Sequence, residues 1–175
     1  MTRGRPDIAA QIATLRRYAR VLTRDADAAD DLVQATFLRA EEKRATFREG
    51  ADPKVWLFAI LHNLFLDTRR SLQAAQARDR AWAESRAAFA PPSGEMAARL
   101  AQVQAAFLAL APEQREALHL VAVEGLSVAE AADILGAPPG TVMSRVARAR
   151  AALREFEAGK DLPLRIVGGR NERSS

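Results

Sequence analysis

Four arginines, Arg145, Arg148, Arg150 and Arg154, fall between Thr141 and Arg154, and no acid stands among them. Guanidinium groups gathered without counter-charge suit one chemistry above others, the binding of a polyanion. The text just upstream inverts the balance, because Glu113–Asp133 holds five acids and one arginine. The net charge is only +4 over 175 residues, so its placement says more than its size. A solvated basic helix with no ligand would show the same run, and the run alone does not separate the two.

Sorting faces narrows the choice. If Thr141–Leu153 is a helix, successive residues turn by about 100°. Val142, Val146, Ala149 and Leu153 then form one apolar stripe. Opposite stand Ser144, Ala147 and Arg148, with Thr141, Met143, Arg145 and Arg150 on the flanks. This outward face is small at its centre and ringed by arginine. A helix entering the major groove needs that shape, since small residues permit close approach and arginine reaches guanine edges or phosphates.

The elements that must hold this helix are written just before it. Ser127 and Glu130 have the spacing of a capping box. Gly136 suits the end of a short helix, and "APPG" makes a turn. Short helix, glycine-containing turn and second helix are the helix-turn-helix pattern. Binding of duplex DNA is the expectation.

Other chemistry finds less support. The chain has no cysteine, which removes disulfides and thiolate metal sites and fits a reducing cytosol. His62 and His119 have no ligand cluster near them in sequence and read as structural. No set of nucleophile, base and oxyanion donors stands out, so neither an enzyme nor a cofactor is expected. The longest apolar run, "VWLFAILHNLFL", is too short and too polar for a membrane span, which takes about 20 residues. No N-terminal signal pattern is evident. The expectation is a soluble cytoplasmic protein with no small-molecule substrate.

The rest of the chain reads as helices. Hydrophobic residues make up 49%, alanine is abundant, and no strand pattern of any length appears. Asp7–Thr23 places Ile8, Ile12, Leu15, Ala19 and Leu22 on one face. Asp27 is a candidate cap for the next helix, whose stripe is Ala29, Leu32, Val33, Thr36 and Ala40. Asp30, Asp31, Gln34 and Leu38 fall on its other side, so Leu38 is either a surface residue or covered by a third helix.

Pro53 suits a first helical turn with Asp52 as cap. The helix that follows is apolar nearly all round in its first half, as a central helix would be, and Trp56, Phe58 and Phe65 read as core. A stretch rich in alanine and arginine, ending in "PPSG", reads as a linker. Beyond it, Met96, Leu100, Val103, Phe107 and Leu110 keep helical register, and a further helix starts at Pro112 and stops at Gly125. The fold class expected is all-α, with two small helical domains joined by a flexible linker. The expected bounds are 7–74 for the first domain, 75–94 for the linker, 95–157 for the second domain and 158–175 for a mobile tail.

Two blocks of this text resemble the extracytoplasmic-function RNA polymerase sigma factors. "DADAADDLVQATFLRA" followed by "DPKVWLFAILHNLFLDTRR" looks like their region 2. "LAPEQREALHL" followed by "GLSVAEAADILGAPPGTVMSRVARARAAL" looks like their region 4, in the family's order. The resemblance covers roughly Ile12 to Leu153. It implies a dissociable subunit that gives core RNA polymerase its promoter specificity.

By position, the family's docking helix implicates Asp31, Gln34, Phe37, Leu38 and Arg39 against the clamp coiled coil of the largest polymerase subunit. The resemblance also implies that the loop "ATFREGADPK", with Phe47 and Lys54, takes an extruded base of the downstream promoter element. Asn63, Arg69 and Arg70 would line that single strand, the amide reading base edges and the arginines meeting phosphates. The second domain would lie at the polymerase flap and read the upstream element as duplex through Thr141, Met143, Ser144, Arg145, Ala147, Arg148 and Arg150. An anti-sigma protein is an implied partner.

The sequence departs from the family at Ala35, where an acid is common, and at Met143, where lysine or arginine is frequent. Its linker is arginine-rich where the family's counterpart can be acidic. Two rival readings stand beside this one. A stand-alone helix-turn-helix regulator would bind promoters without polymerase. A sigma-like mimic that sequesters an anti-sigma protein would keep the helices and lose the arginines of the recognition helix.

Overall fold

The computed structural model describes residues 11–48, 50–76 and 95–158, with side chains described over 11–48, 50–73 and 99–158. Ile8, the stretch 77–94, the Met96 side chain and the tail 159–175 lie outside the described residues. Every regular element among the described residues is a helix or helical turn. The chain divides into two compact units, α1–α3 in one and α4, α5, α7 and most of α6 in the other.

In the first unit, α1 (Ile12–Thr23) buries Leu15, Tyr18, Ala19, Val21 and Leu22. Ile12, expected on the same stripe, is 40% exposed at the first turn, where the helix has not yet reached its neighbours' cover. Arg24 ends α1 in the left-handed conformation, φ 59, and its N–H donates to the Arg20 carbonyl at 3.0 Å. That turn leaves Asp25 extended, as a cap must be, and its carboxylate accepts from the Ala28 N–H at 2.8 Å. The cap of α2 (Ala26–Glu42) is therefore Asp25 and not Asp27. Asp27 sits in the first turn, where its charge complements the helix dipole.

The stripe Ala29, Leu32, Val33, Thr36 and Ala40 is buried as expected, and the Thr36 hydroxyl satisfies itself on the Leu32 carbonyl at 2.7 Å. A 3-10 turn, Arg44–Thr46, leads toward α3 (Pro53–Gln76). Asp52 accepts from the Lys54 N–H at 2.8 Å and caps α3, with Pro53 in the first turn. Leu57, Phe58 and Leu61 on α3 are fully buried, each side chain stabilising the unit by about 2 kcal/mol relative to exposure. α1, α2 and α3 pack against one another.

In the second unit, α4 (Glu95–Ala109) buries Ala106, and Leu110 is buried just past its end. Leu100, placed on the same stripe from sequence, is 55% exposed, so only the later part of the stripe is covered. Arg115 on α5 (Pro112–Leu118) is buried and donates to the carbonyls of Leu108 and Leu110 at 3.0 and 3.1 Å. It thereby satisfies acceptors that the end of α4 leaves open. α5 widens into a π turn, His119–Val123, in which the Glu124 N–H reaches the His119 carbonyl at 3.0 Å. The side chains of the same two residues meet inside, His119 Nε2 lying 3.2 Å from Glu124 Oε1. Gly125, with φ 71, turns the chain away.

The capping box forms at α6 (Val128–Leu135). The Ser127 N–H donates to Glu130 Oε2 at 2.7 Å, and the Glu130 N–H donates to Ser127 Oγ at 3.2 Å. Gly136, with φ 57, ends α6. α7 (Pro139–Ala158) then packs on α5 with Val142, Val146 and Ala149 buried and Leu153 half-buried.

Candidate nucleic-acid interface

The burial of Val142, Val146 and Ala149 fixes what α7 shows to solvent. Met143, Ala147, Arg148, Arg150 and Arg154 are exposed, while Thr141, Ser144 and Arg145 are half-buried. Arg148 Nη2 donates to Ser144 Oγ at 3.1 Å, and that hydroxyl donates to the Thr141 carbonyl at 2.9 Å. One guanidinium is thus held back along the helix before any ligand arrives. Among the described residues no acid accompanies the arginines between Thr141 and Arg154. Such a face can bind phosphates through charge and bases through arginine.

The first unit carries a cleft of about 350 Å³ between the end of α2, the 3-10 turn and α3. Arg39, Lys43 and Thr46 line one side at helical steps, and Trp56, Ala59, Ile60, Asn63, Leu64 and Asp67 line the other. Arg39 and Asn63, assigned from sequence to different tasks, therefore share one cavity. Phe47 meets the edge of Trp56, with ring centroids 5.1 Å apart and planes at 60°. It supports the cleft through that ring. Lys54 Nζ lies 5.8 Å from the Phe58 ring centroid, half-buried. Arg69 and Arg70 are exposed further along α3, and Arg70 pairs with Asp67 at 3.1 Å.

Trp56 was expected in the core. Phe58 is there, but Trp56 and Phe65 are only half-buried, and Trp56 faces the cleft. The signal for this was present, since Trp56, Ala59 or Ile60, Asn63 and Asp67 recur at steps of three and four. Thr46 belongs to the loop expected to take the base and does line the cleft, whereas Lys43 and Asp67 were missed for want of knowing which turn of α2 meets which turn of α3. An aromatic ring, two cations and an amide around one cavity can hold a base and its phosphate.

On α2, Asp31, Gln34 and Leu38 are exposed and Phe37 is half-buried. Leu38 is 70% exposed, so among the described residues no third helix covers it. Asp30, counted on the same side, instead accepts from Arg16 Nε on α1 at 2.6 Å. Arg39 pairs with Glu42 at 3.0 Å. A surface leucine among polar groups is a shape that protein partners use. Among the described residues no helix is long and apolar enough to cross a membrane.

Comparison with known proteins bears on both units. Residues 8–62 match the family described as the Sigma2 domain of PhyR, and residues 100–153 match Sigma-70, region 4. The chain is 38% identical over 175 residues to the ECF RNA polymerase sigma factor EcfG of Rhodopseudomonas palustris, covering 95% of this chain and 96% of that one. It is 38% identical over 139 residues to the ECF RNA polymerase sigma factor SigM of Mycobacterium tuberculosis, covering 79% and 69%. Among solved structures, it is similar to the sigma factor RpoE of Bartonella quintana in complex with the anti-sigma factor NepR. The TM-score is 0.74 at 34% identity, covering 88% of this chain and 96% of that one. CnrH in complex with the cytosolic domain of CnrY gives a TM-score of 0.62 at 28% identity, covering 87% and 86%.

Proposed function

The chain belongs to the ECF RNA polymerase sigma factors, and on that premise we propose how its two units divide the work of promoter-specific transcription initiation. The observation that carries the reading is the 38% identity to a sigma factor across 95% of the chain, through both units. The first unit docks on the polymerase through the exposed side of α2, with Leu38 at its centre and Asp31, Gln34, Phe37 and Arg39 around it. Its cleft takes an unstacked base of the downstream element, with Trp56 offering a ring, Asn63 a donor and an acceptor, and Lys43 charge for phosphate. Phe47 and Lys54 brace this region, and Arg69 and Arg70 track the strand beyond it.

The second unit reads the upstream element as duplex. α7 lies in the major groove with Thr141, Met143, Ser144, Arg145, Ala147, Arg148 and Arg150 toward the DNA. The family acts by binding rather than by a reaction of its own, and its work on the polymerase supports the reading of a cytoplasmic protein. Because similar sigma factors are held by the anti-sigma factor NepR and by the cytosolic domain of CnrY, an anti-sigma protein is the expected regulator here.

One observation favours a second reading. The first unit matches the Sigma2 domain of PhyR, and PhyR of Bartonella quintana is an anti-anti-sigma factor that complexes with the anti-sigma factor NepR. A mimic of that kind has no use for a DNA-reading helix, and α7 keeps all four arginines. Run-off transcription with purified core polymerase on a promoter library decides between them. Discrete starts that depend on the added chain are expected, and none would favour the mimic.

A further inference from the structure

Met143 is 61% exposed near the start of α7, while Leu153 and Phe156, the other large apolar side chains of that helix, are half-buried. An apolar side chain left in water gains nothing from the core. Its surroundings leave it open. At about 100° per residue it shares a stripe with Ala147, Arg150 and Arg154, and Ala147, one turn on, is too small to cover it. Arg148 is on the other flank, drawn toward Ser144 and Thr141 by the hydroxyl relay. The N-terminal turns of a recognition helix are the part that approaches base edges.

A thioether is at best a weak acceptor, so it has little to offer the hydrogen-bonding groups of a base pair. The apolar group that base pairs present in the major groove is the C5 methyl of thymine. We propose that Met143 selects a thymine in the upstream element by covering its C5 methyl. The inference rests on the assignment of the second unit to that duplex. It makes Met143 a determinant of specificity that the basic residues around it, which suit guanine and phosphate, cannot supply.

The test uses the full chain with core polymerase in run-off transcription, on a promoter that the unaltered protein selects from a randomised library. Each thymine of the upstream element, on either strand, is replaced in turn by deoxyuridine, which deletes the methyl and keeps every hydrogen-bonding group. Initiation is expected to fall about fourfold at one position, the worth of one buried methyl. Met143→Ala should lose that sensitivity, and Met143→Leu should keep it. The inference is overturned if the selected element prefers no A·T pair, if deoxyuridine has no effect anywhere, or if Met143→Ala responds as the unaltered protein does. No initiation on any promoter would bring down the assignment beneath it, and the inference with it.

Discussion

The Tyr18 hydroxyl and His62 Nδ1 share a hydrogen bond of 3.1 Å inside the first unit, tying α1 to α3 where neither side chain reaches solvent. Phe58 meets Tyr18 edge-on at 5.0 Å and closes the site. Burial penalises the imidazolium and lowers the His62 pKa from 6.5 to about 4. Between those values the unfolded chain holds a proton that the folded chain refuses. Stability from this group is therefore full above about pH 6.5 and drains as the pH falls toward 4, by about 3 kcal/mol in all. Thermal unfolding followed from pH 7.5 to 4 should show the loss, and His62→Gln, which cannot titrate in this range, should flatten it.

Leu38 yields a cleaner separation of fold from function. At 70% exposure it contributes little to the core, so Leu38→Arg should change unfolding by less than about 0.5 kcal/mol. If α2 docks as proposed, the same change sets a charge in the middle of an apolar contact. Affinity for core polymerase should then fall at least tenfold, on the order of 1.4 kcal/mol. A titration with labelled core enzyme checks this, and unchanged affinity would move the docking face elsewhere.

Trp56 is the residue on which the cleft's assignment turns. Stacking of one base on an aromatic ring is worth about 1–3 kcal/mol. Trp56→Ala should therefore weaken strand opening, read as permanganate reactivity of the downstream element, while leaving binding to upstream duplex as it was. Its half-buried state means some loss of stability is also expected. Trp56→Phe, which keeps an aromatic face, should restore opening in good part.

These residues also mark what could be learned before any coordinates. Periodicity located the buried face of α2 residue by residue and that of α7 up to Leu153, which is half-buried, because a stripe three and four apart has one way to face a core. Punctuation located Pro53, Asp52, Ser127, Glu130 and Gly136, since each answers a local need of the backbone. Periodicity says less about where cover stops, which is why Ile12 and Leu100 were placed inside. Asp27 was named as the cap of α2, and the left-handed turn at Arg24 gives that place to Asp25 instead. The cleft depends on α2 meeting α3 at one register, a relation between distant segments that local spacing does not contain. Lys43 was missed for that reason, Trp56 was misplaced although its spacing to Asn63 and Asp67 marked a shared face, and the Tyr18–His62 bond was not foreseen at all.

The capping box at Ser127 offers a test confined to the second unit. Ser127 and Glu130 each satisfy an amide at the start of α6, so losing either strands a donor. Ser127→Ala should cost about 1 kcal/mol. Because the two bonds support one another, Ser127→Ala with Glu130→Ala should cost less than the sum of the two single changes. Chemical denaturation of the four proteins supplies the cycle. Strict additivity would mean that the two side chains act separately.

Arg148 and Arg150 should answer differently to salt. Arg148 is anchored by Ser144, which places its guanidinium before binding and suits it to a fixed base edge. If it contacts a base, Arg148→Ala should cost about 1–3 kcal/mol and relax preference at one base pair. Among the described residues Arg150 has no such anchor, and it lies exposed on the other flank, which suits a phosphate. Arg150→Ala should weaken all sequences alike and reduce the salt dependence by about one released ion. Binding of the upstream duplex by polymerase holoenzyme, measured at several salt concentrations, distinguishes the two. If both changes alter the salt slope and neither alters sequence preference, the arginines of α7 hold the backbone only, and the reading of bases passes to Met143 and its small neighbours.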